Sequence, residues 1–441
     1  MIWLLILNRI KQIKVENLFF ILATIFIFSF MFVFPINRVP DETNHARMTW
    51  ETFHKPTETS FKWMDEIPSN DKVKLAEYKQ IFAQKIDMSK EPFQFGVSLK
   101  TISFIPQLIG MTIGSWISPT VGMIIYMGRI FNALAYILGI YFLIRYFKYG
   151  KTALMFISLL PIMVQQASSL SYDVMNYLEV MLALGFITNL AYSKRFTNRN
   201  IIQVIGLAIL LLATKPNNVL LLGLIPFVPL EFEGVLAFLN RPAQAIKTFI
   251  SKYKAVFYLL FVVGVVVVLQ FLMKNQGGLR HYGEVLRNTL FNPELNDNLN
   301  GILSLGMFGY LGNLTLQMPL WLIFIDIIVL TILFLSSKKD FFTKDFANAS
   351  WILFLLEILA AVTVMYMQWT PIVLGQGANI SVGAQGRYFT PFIILLLPLV
   401  ANTAKIDLSR QKRLKIATLT LIANFLVAMY LILFHYWGVF A

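Results

Sequence analysis

The sequence predicts an all-α, polytopic membrane protein with about 11 transmembrane helices. Three observations carry that prediction. The chain is 57% hydrophobic with a mean hydropathy of +0.67. Only 14% of its residues are charged, against about 25% in soluble domains. Several apolar runs reach or approach the ~20 residues that cross a ~30 Å hydrocarbon core. No soluble domain, internal repeat or low-complexity tract interrupts the pattern, so residues 1–441 read as a single integral membrane domain.

Spans are expected at 18–36, 121–146, 152–168, 174–193, 201–213, 217–231, 255–273, 319–337, 350–369, 389–402 and 416–437. The first begins in an uncleaved N-terminus, because no small-residue cleavage site follows its apolar stretch. Residues 1–14 precede it as an amphipathic lead. Residues 37–120 then form a long first extracytoplasmic loop with surface or re-entrant helices. Within it, Leu75, Tyr78, Ile81 and Phe82 fall on one helical face. The run TISFIPQLIGMTIGSWI (101–117) is apolar but interrupted by Pro106 and Gly110, and reads as juxtamembrane or re-entrant. The short runs 201–213 and 217–231 flank ATKPNNV. Merging them would bury Lys215 at the centre of one over-long helix, so they read as two spans with Lys215 at the turn.

Charge orients the chain. With the N-terminus inside, the proposed cytoplasmic pieces hold 21 Lys and Arg residues and the short outer pieces hold 5. That asymmetry follows the positive-inside rule, and the loop 37–100 is too long to be governed by it. The same rule accounts for the net charge of +14 without nucleic acid. The chain has no cysteine, which excludes disulfides, thiolate metal sites and a catalytic thiol.

The residues that could carry chemistry gather at the outer ends of spans. Asp41, Glu42, His45 and Arg47 follow the first span in FPINRVPDETNHARM. Arg129 lies about eight residues into the second, ~12 Å deep at 1.5 Å per residue. Gln166, Tyr172 and Asp173 lie in LPIMVQQASSLSYDVMNY. Lys215 and Asn217 lie in LLATKPNN, Arg280 and His281 in GGLRHYGE, and Gln385, Arg387 and Tyr388 in GAQGRYFTP. Each has a structural alternative. An acidic pair after a span can be a solvated helix cap, and Asp173 can cap its own helix. Arg129 can snorkel to headgroups, and Lys215 can anchor a turn at the interface. The mid-span acids Asp326 and Glu357 read as structural, each paired with polar neighbours.

Acids and cations at one membrane face suit group transfer from a lipid-linked phosphate. A carboxylate can act as general base to an acceptor hydroxyl, and arginine grips phosphate in bidentate fashion. No GxxxxGK[ST] loop is present, so direct use of ATP is not indicated.

The segments VPDETNHARM, YMGRIFNALAYI, LPIMVQQASSLSYDVMNY, LLATKPNN and GAQGRYFTP, in that order, resemble a family of bacterial multi-span membrane proteins of unknown function, domain-of-unknown-function family 2142. The resemblance covers about residues 18–402. That family is similar in layout to the GT-C glycosyltransferases, through the Asp–Glu pair in a long first outer loop and the number of spans. The resemblance implies an inverting glycosyltransferase of the bacterial cytoplasmic membrane, with its active site on the outer face. The donor would be a polyprenyl-phosphate sugar, the acceptor a cell-envelope glycan or lipid-linked glycan, and membrane lipids the surroundings. Asp41 or Glu42 occupies the place of the base; Asp41 is taken as the base, with Glu42 orienting it or binding the acceptor, and Asp173 would hold a sugar or acceptor hydroxyl. Arg387 and Lys215 would neutralise the departing phosphate, and Arg129 would pair with Asp173 or touch that phosphate. His45, Arg47, Gln166, Tyr172, Asn217, Arg280, His281, Gln385 and Tyr388 would line the substrate site. A divalent metal, magnesium or manganese, serves some GT-C members and not others, and nothing in this sequence spells a metal site. Two other classes stay open: a transporter or flippase of lipid-linked sugars, and a non-catalytic subunit of an envelope-polysaccharide machine.

Overall fold

A computed structural model describes residues 13–55, 72–291, 305–337, 342–403 and 406–439. The amphipathic lead expected at the N-terminus falls almost wholly outside these residues. Among them the chain is mostly helical, and six helices are long and apolar enough to cross a membrane. These are α1 (Val15–Val33), α5 (Val121–Tyr146), α8 (Asp173–Ser193), α11 (Lys254–Met273), α14 (Lys344–Gln368) and α16 (Arg410–Trp437). Shorter elements stand between them. They include α2 (Glu42–Trp50), α3 (Leu75–Ala83), α4 (Ile105–Ile117), α6 (Lys151–Ser158), α7 (Pro161–Ala167), α9 (Asn198–Thr214), α10 (Asn240–Lys252), α12 (Gly278–Leu290), α13 (Leu320–Leu335) and α15 (Leu397–Thr403). The run expected as one span at 152–168 is two helices, because Pro161 opens a new helix at a position where its missing N–H costs nothing.

Helix α1 turns one side into the bundle and leaves Phe20, Ile21, Ile25 and Phe32 exposed on the other. Phe19, Phe26, Phe30 and Phe34 are buried, and Phe26 stacks on Phe425 of α16 at 4.3 Å between ring centroids. The ends of the helices gather on two faces. One face is basic. There Arg410 donates to the Ile13 carbonyl, Arg413 to the Ser336 carbonyl, and Lys254 meets Asp345. On the other, called here the site face, Trp437 donates to the Val33 carbonyl at 2.7 Å. The two ends of the described chain therefore lie on opposite faces.

Helices α9 and the 3₁₀ helix Pro216–Phe227 form a hairpin with Lys215 at its tip. Its base is closed by a parallel pair of two-residue strands, β1 (Arg195–Phe196) and β2 (Glu231–Phe232). The legs contain 17 and 12 residues. At ~1.5 Å per residue in an α-helix and ~2.0 Å in a 3₁₀-helix, both legs are ~25 Å long. Pro226 lies inside the 3₁₀ leg, where its ring and missing N–H oppose α-helix formation. The tighter winding lets a shorter leg reach the same depth, so both ends can meet in the strand pair.

Helix α4 is 13 residues, ~20 Å, and runs antiparallel against the site-face half of α5. The contact is backbone to backbone. A Cβ at Gly110 would sit 2.3 Å from the Met127 carbonyl oxygen, and one at Gly114 would sit 2.8 Å from that of Met123. This glycine spacing lets two helices approach closely where apolar side chains gain nothing by leaving lipid. Helix α3 forms as its periodicity predicts. It does not simply lie on the surface, since Phe82 packs on Tyr126 and the Tyr78 hydroxyl accepts from the Ile36 N–H.

Candidate functional site

The turn 34–41 leads from α1 into α2. Asp41 sits at the start of α2 with φ +63°, a left-handed conformation that Asp tolerates better than most side chains. This turn points the adjacent acids in opposite directions. Glu42 faces inward. Its Oε1 and Oε2 accept from Arg129 Nε and Nη2, each at 2.8 Å. They also accept from the backbone N–H groups of Leu170 at 3.2 Å and Asn37 at 2.8 Å. Arg129 spends its remaining donors on the carbonyls of Met31, Phe34 and Pro35. The arginine thus satisfies the end of α1, where helix carbonyls lack partners and positive charge is favoured. The pairing of Arg129 with Asp173 suggested by the sequence does not form.

Asp41 faces the other way, and its side chain is 39% exposed. Its Oδ2 accepts from Arg387 Nη2 at 2.5 Å. The same guanidinium donates from Nε to Asp173 Oδ2 at 3.1 Å, and from Nη1 to Gln385 Oε1. Lys215 closes the group from the hairpin tip, with Nζ 2.8 Å from Asp173 Oδ1. Lys215 also lies over the ring of Tyr388 at 4.3 Å and that of Tyr172 at 5.5 Å. Two carboxylates and two cations from four distant segments therefore form one neutral cluster, with Asp41 its exposed member.

His45 lies one turn after Asp41 on α2, and its ring rests 4.1 Å from that of Tyr172. The imidazole is buried and its Nδ1 has no hydrogen-bond partner. Burial lowers its pKa to about 4, with Arg387 and Lys215 adding to the effect and Asp173 and Asp41 opposing it. The ring is neutral at ordinary pH. Burial raises the Tyr172 hydroxyl above its ordinary value, and does the same to Tyr388.

Other expected site residues fall elsewhere. Arg47 is half-buried on α2 beyond His45. Gln166 is fully buried in α7, and neither atom of its amide has a partner. Arg280 and His281 lie on α12, where His281 packs 6.5 Å from Tyr366. Among the described residues no hydrogen bond, ion pair or ring contact joins either one to the cluster. Asn217 points below the cluster and donates to Glu357 Oε2 at 2.8 Å. Asp326 accepts from Asn424 at 2.6 Å.

Below Lys215 the polar contacts continue through residues the sequence reading did not single out. Thr214 donates to Glu179, and Asn218 donates to Asn176 at 2.6 Å. The remaining oxygens of Glu179 and Glu357 have no partner. A signal was present. Asp173, Asn176 and Glu179 recur every three residues along an apolar span, which puts them near one face. Among the described residues no three His, Asp or Glu side chains converge as metal ligands.

No curated protein and no solved structure matches the chain. Residues 22–396 match the family described as "Predicted membrane protein (DUF2142)", which is most of the chain. The chain belongs to this membrane-protein family, whose function is unknown.

Proposed function

We propose that the protein is a GT-C-type inverting glycosyltransferase of the bacterial cytoplasmic membrane, with the site face outside. It moves a sugar from a polyprenyl-phosphate donor to a hydroxyl of an envelope glycan or lipid-linked acceptor. The observation that carries this reading is the bridge from Arg387 to both Asp41 and Asp173. It joins an exposed carboxylate to a fork that suits phosphate.

In the proposed reaction the donor phosphate takes the place of Asp41 on Arg387. The freed carboxylate accepts the proton of the acceptor hydroxyl. The acceptor oxygen bonds to the anomeric carbon as the carbon–oxygen bond to phosphate breaks, and polyprenyl phosphate leaves with the bonding pair. Arg387 and Lys215 stabilise the charge that develops on that phosphate. Asp173 keeps both cations in place, and neutral His45 offers a hydrogen bond to the sugar or phosphate. Glu42 and Arg129 take no step here, because their hydrogen bonds are committed to each other and to backbone.

The test is to incubate purified protein with a panel of polyprenyl-phosphate sugars and measure free polyprenyl phosphate. Release that depends on an acceptor and on Asp41 supports the reading, and no release with any donor and acceptor counts against it. A second reading, transport of a lipid-linked sugar, draws on the buried polar groups below Lys215. It predicts movement of the intact donor across a vesicle membrane with no release of polyprenyl phosphate.

A further inference from the structure

Helix α11 stands apart from the bundle along part of its length. Every residue from Lys254 to Gly264 is exposed, and the stretch is touched only lightly, by Phe249 of α10 on Phe257 at 6.0 Å between ring centroids and by Asp345 on Lys254. Yet the helix is tied to α14 near both ends. On the site face Met273 is buried with Tyr282, Val285 and Tyr366. On the basic face Lys254 Nζ meets Asp345 Oδ1 at 2.6 Å. Helical spacing places Ile352, Leu355 and Leu359 on the stripe of α14 that runs between Asp345 and Tyr366, and Leu355 is 50% exposed. The result is an apolar slot closed at top and bottom and open sideways to the bilayer.

Its dimensions and rim select the occupant. Eleven residues, Lys254 to Gly264, rise ~16 Å, about the depth of one leaflet of a ~30 Å hydrocarbon core. A membrane-spanning helix cannot thread between α11 and α14 without breaking one of the two tethers. A lipid chain of one leaflet can enter from the side. The rim on the basic face is α10, an exposed helix with Ile246, Phe249, Ile250 and Tyr253 on one stripe. Lys247 and Lys252 lie on its two flanks and Arg241 towards the opposite side, and no acid occurs between residues 234 and 253. A helix of this kind lies in the headgroup region.

We propose that the slot binds one anionic phospholipid of the leaflet on the basic face, with its headgroup at α10 and a chain between α11 and α14. The proposal is independent of the glycosyltransferase reading.

The experiment uses the full-length protein in mild detergent and native mass spectrometry, with phosphatidylglycerol and phosphatidylcholine of identical chains. Retention of phosphatidylglycerol should exceed that of phosphatidylcholine, and each cation near the headgroup contributes roughly fivefold. Lys247→Gln and Lys252→Gln should each weaken phosphatidylglycerol retention by about that factor and leave phosphatidylcholine unchanged. A phosphatidylglycerol carrying a diazirine midway along its chain should crosslink wild-type protein within 254–264 or 350–360, and Leu355→Trp should suppress that crosslink. The crosslink uses unaltered protein, so it decides the question even if a variant misfolds. Equal retention of the two lipids, crosslinks spread evenly over all spans, or variants that bind like wild type would each overturn the proposal. So would a dimer that Leu355→Trp converts to monomer with lipid retention unchanged, since the slot would then hold a second copy.

Discussion

Glu42 and Arg129 meet through two hydrogen bonds of 2.8 Å, and neither side chain reaches solvent. Removing one partner leaves a buried charge uncompensated, at a cost of ~3–5 kcal/mol. Glu42→Gln should therefore lower the melting temperature and membrane abundance sharply; Arg129→Lys keeps the charge but loses the two-pronged contact with Glu42, and should lower both by less. In Arg129→Lys the carbonyls of Met31, Phe34 and Pro35 also lose their planar donor. A Glu42→Gln protein that melts like wild type but transfers no sugar would return Glu42 to a catalytic role.

Asp41 is the contrasting neighbour. Asp41→Asn keeps the shape and the turn but cannot take a proton. A general base contributes ~10²–10⁴-fold, so sugar transfer should fall by about that factor with abundance unchanged. Near-normal transfer by this variant would place the base elsewhere, with Asp173 the first alternative.

Arg387→Lys retains charge but cannot reach Asp41, Asp173 and Gln385 together. Activity should drop at least tenfold, because a site that uses the planar fork does not accept an ammonium as equivalent. Full activity would reduce Arg387 to a general positive charge.

His45 provides a pH test. Its folded-state pKa of about 4 lies below the ordinary histidine value of 6.5. Between those values the unfolded chain binds a proton that the native chain does not, so native stability falls as pH drops from 6.5 towards 4. The full effect is on the order of 3 kcal/mol. His45→Gln should melt with a flatter pH dependence across that window. Parallel curves for the two proteins would show that His45 titrates normally.

Orientation can be read directly, because the chain contains no cysteine of its own. Lys85→Cys should react with an impermeant thiol reagent in intact cells and Lys344→Cys should not. Reversed labelling would put the cluster inside and remove the outer-face mechanism.

Much of this organisation was legible in sequence because bilayer thickness imposes a length on apolar runs. The helices at 15–33, 121–146, 173–193 and 410–437 lie close to runs visible by composition alone. Cations and acids at helix ends marked Asp41, Asp173, Lys215 and Arg387 individually. Their pairing was not visible, since Arg387 lies 346 residues from Asp41 and 214 from Asp173. Nor did adjacency reveal that Asp41 and Glu42 point apart. That depends on a turn with two left-handed residues, Asn37 and Asp41, and no glycine marks either position. The buried polar groups on α8 were missed for another reason: Asn176 and Glu179 lie among apolar residues and read as span interior.

The bridge made by Arg387 also sets an order in time. A chain made at ~5–20 residues per second delivers Arg387 roughly 20–70 s after Asp41. Lys215 follows Asp173 by only 42 residues, so that acid finds its first cation within seconds. Asp41 must wait until the chain has been made as far as Arg387, 346 residues on. Translation arrested anywhere before Arg387 thus leaves helices without a completed centre, and a nascent chain acquires its chemistry only once Arg387 has been made.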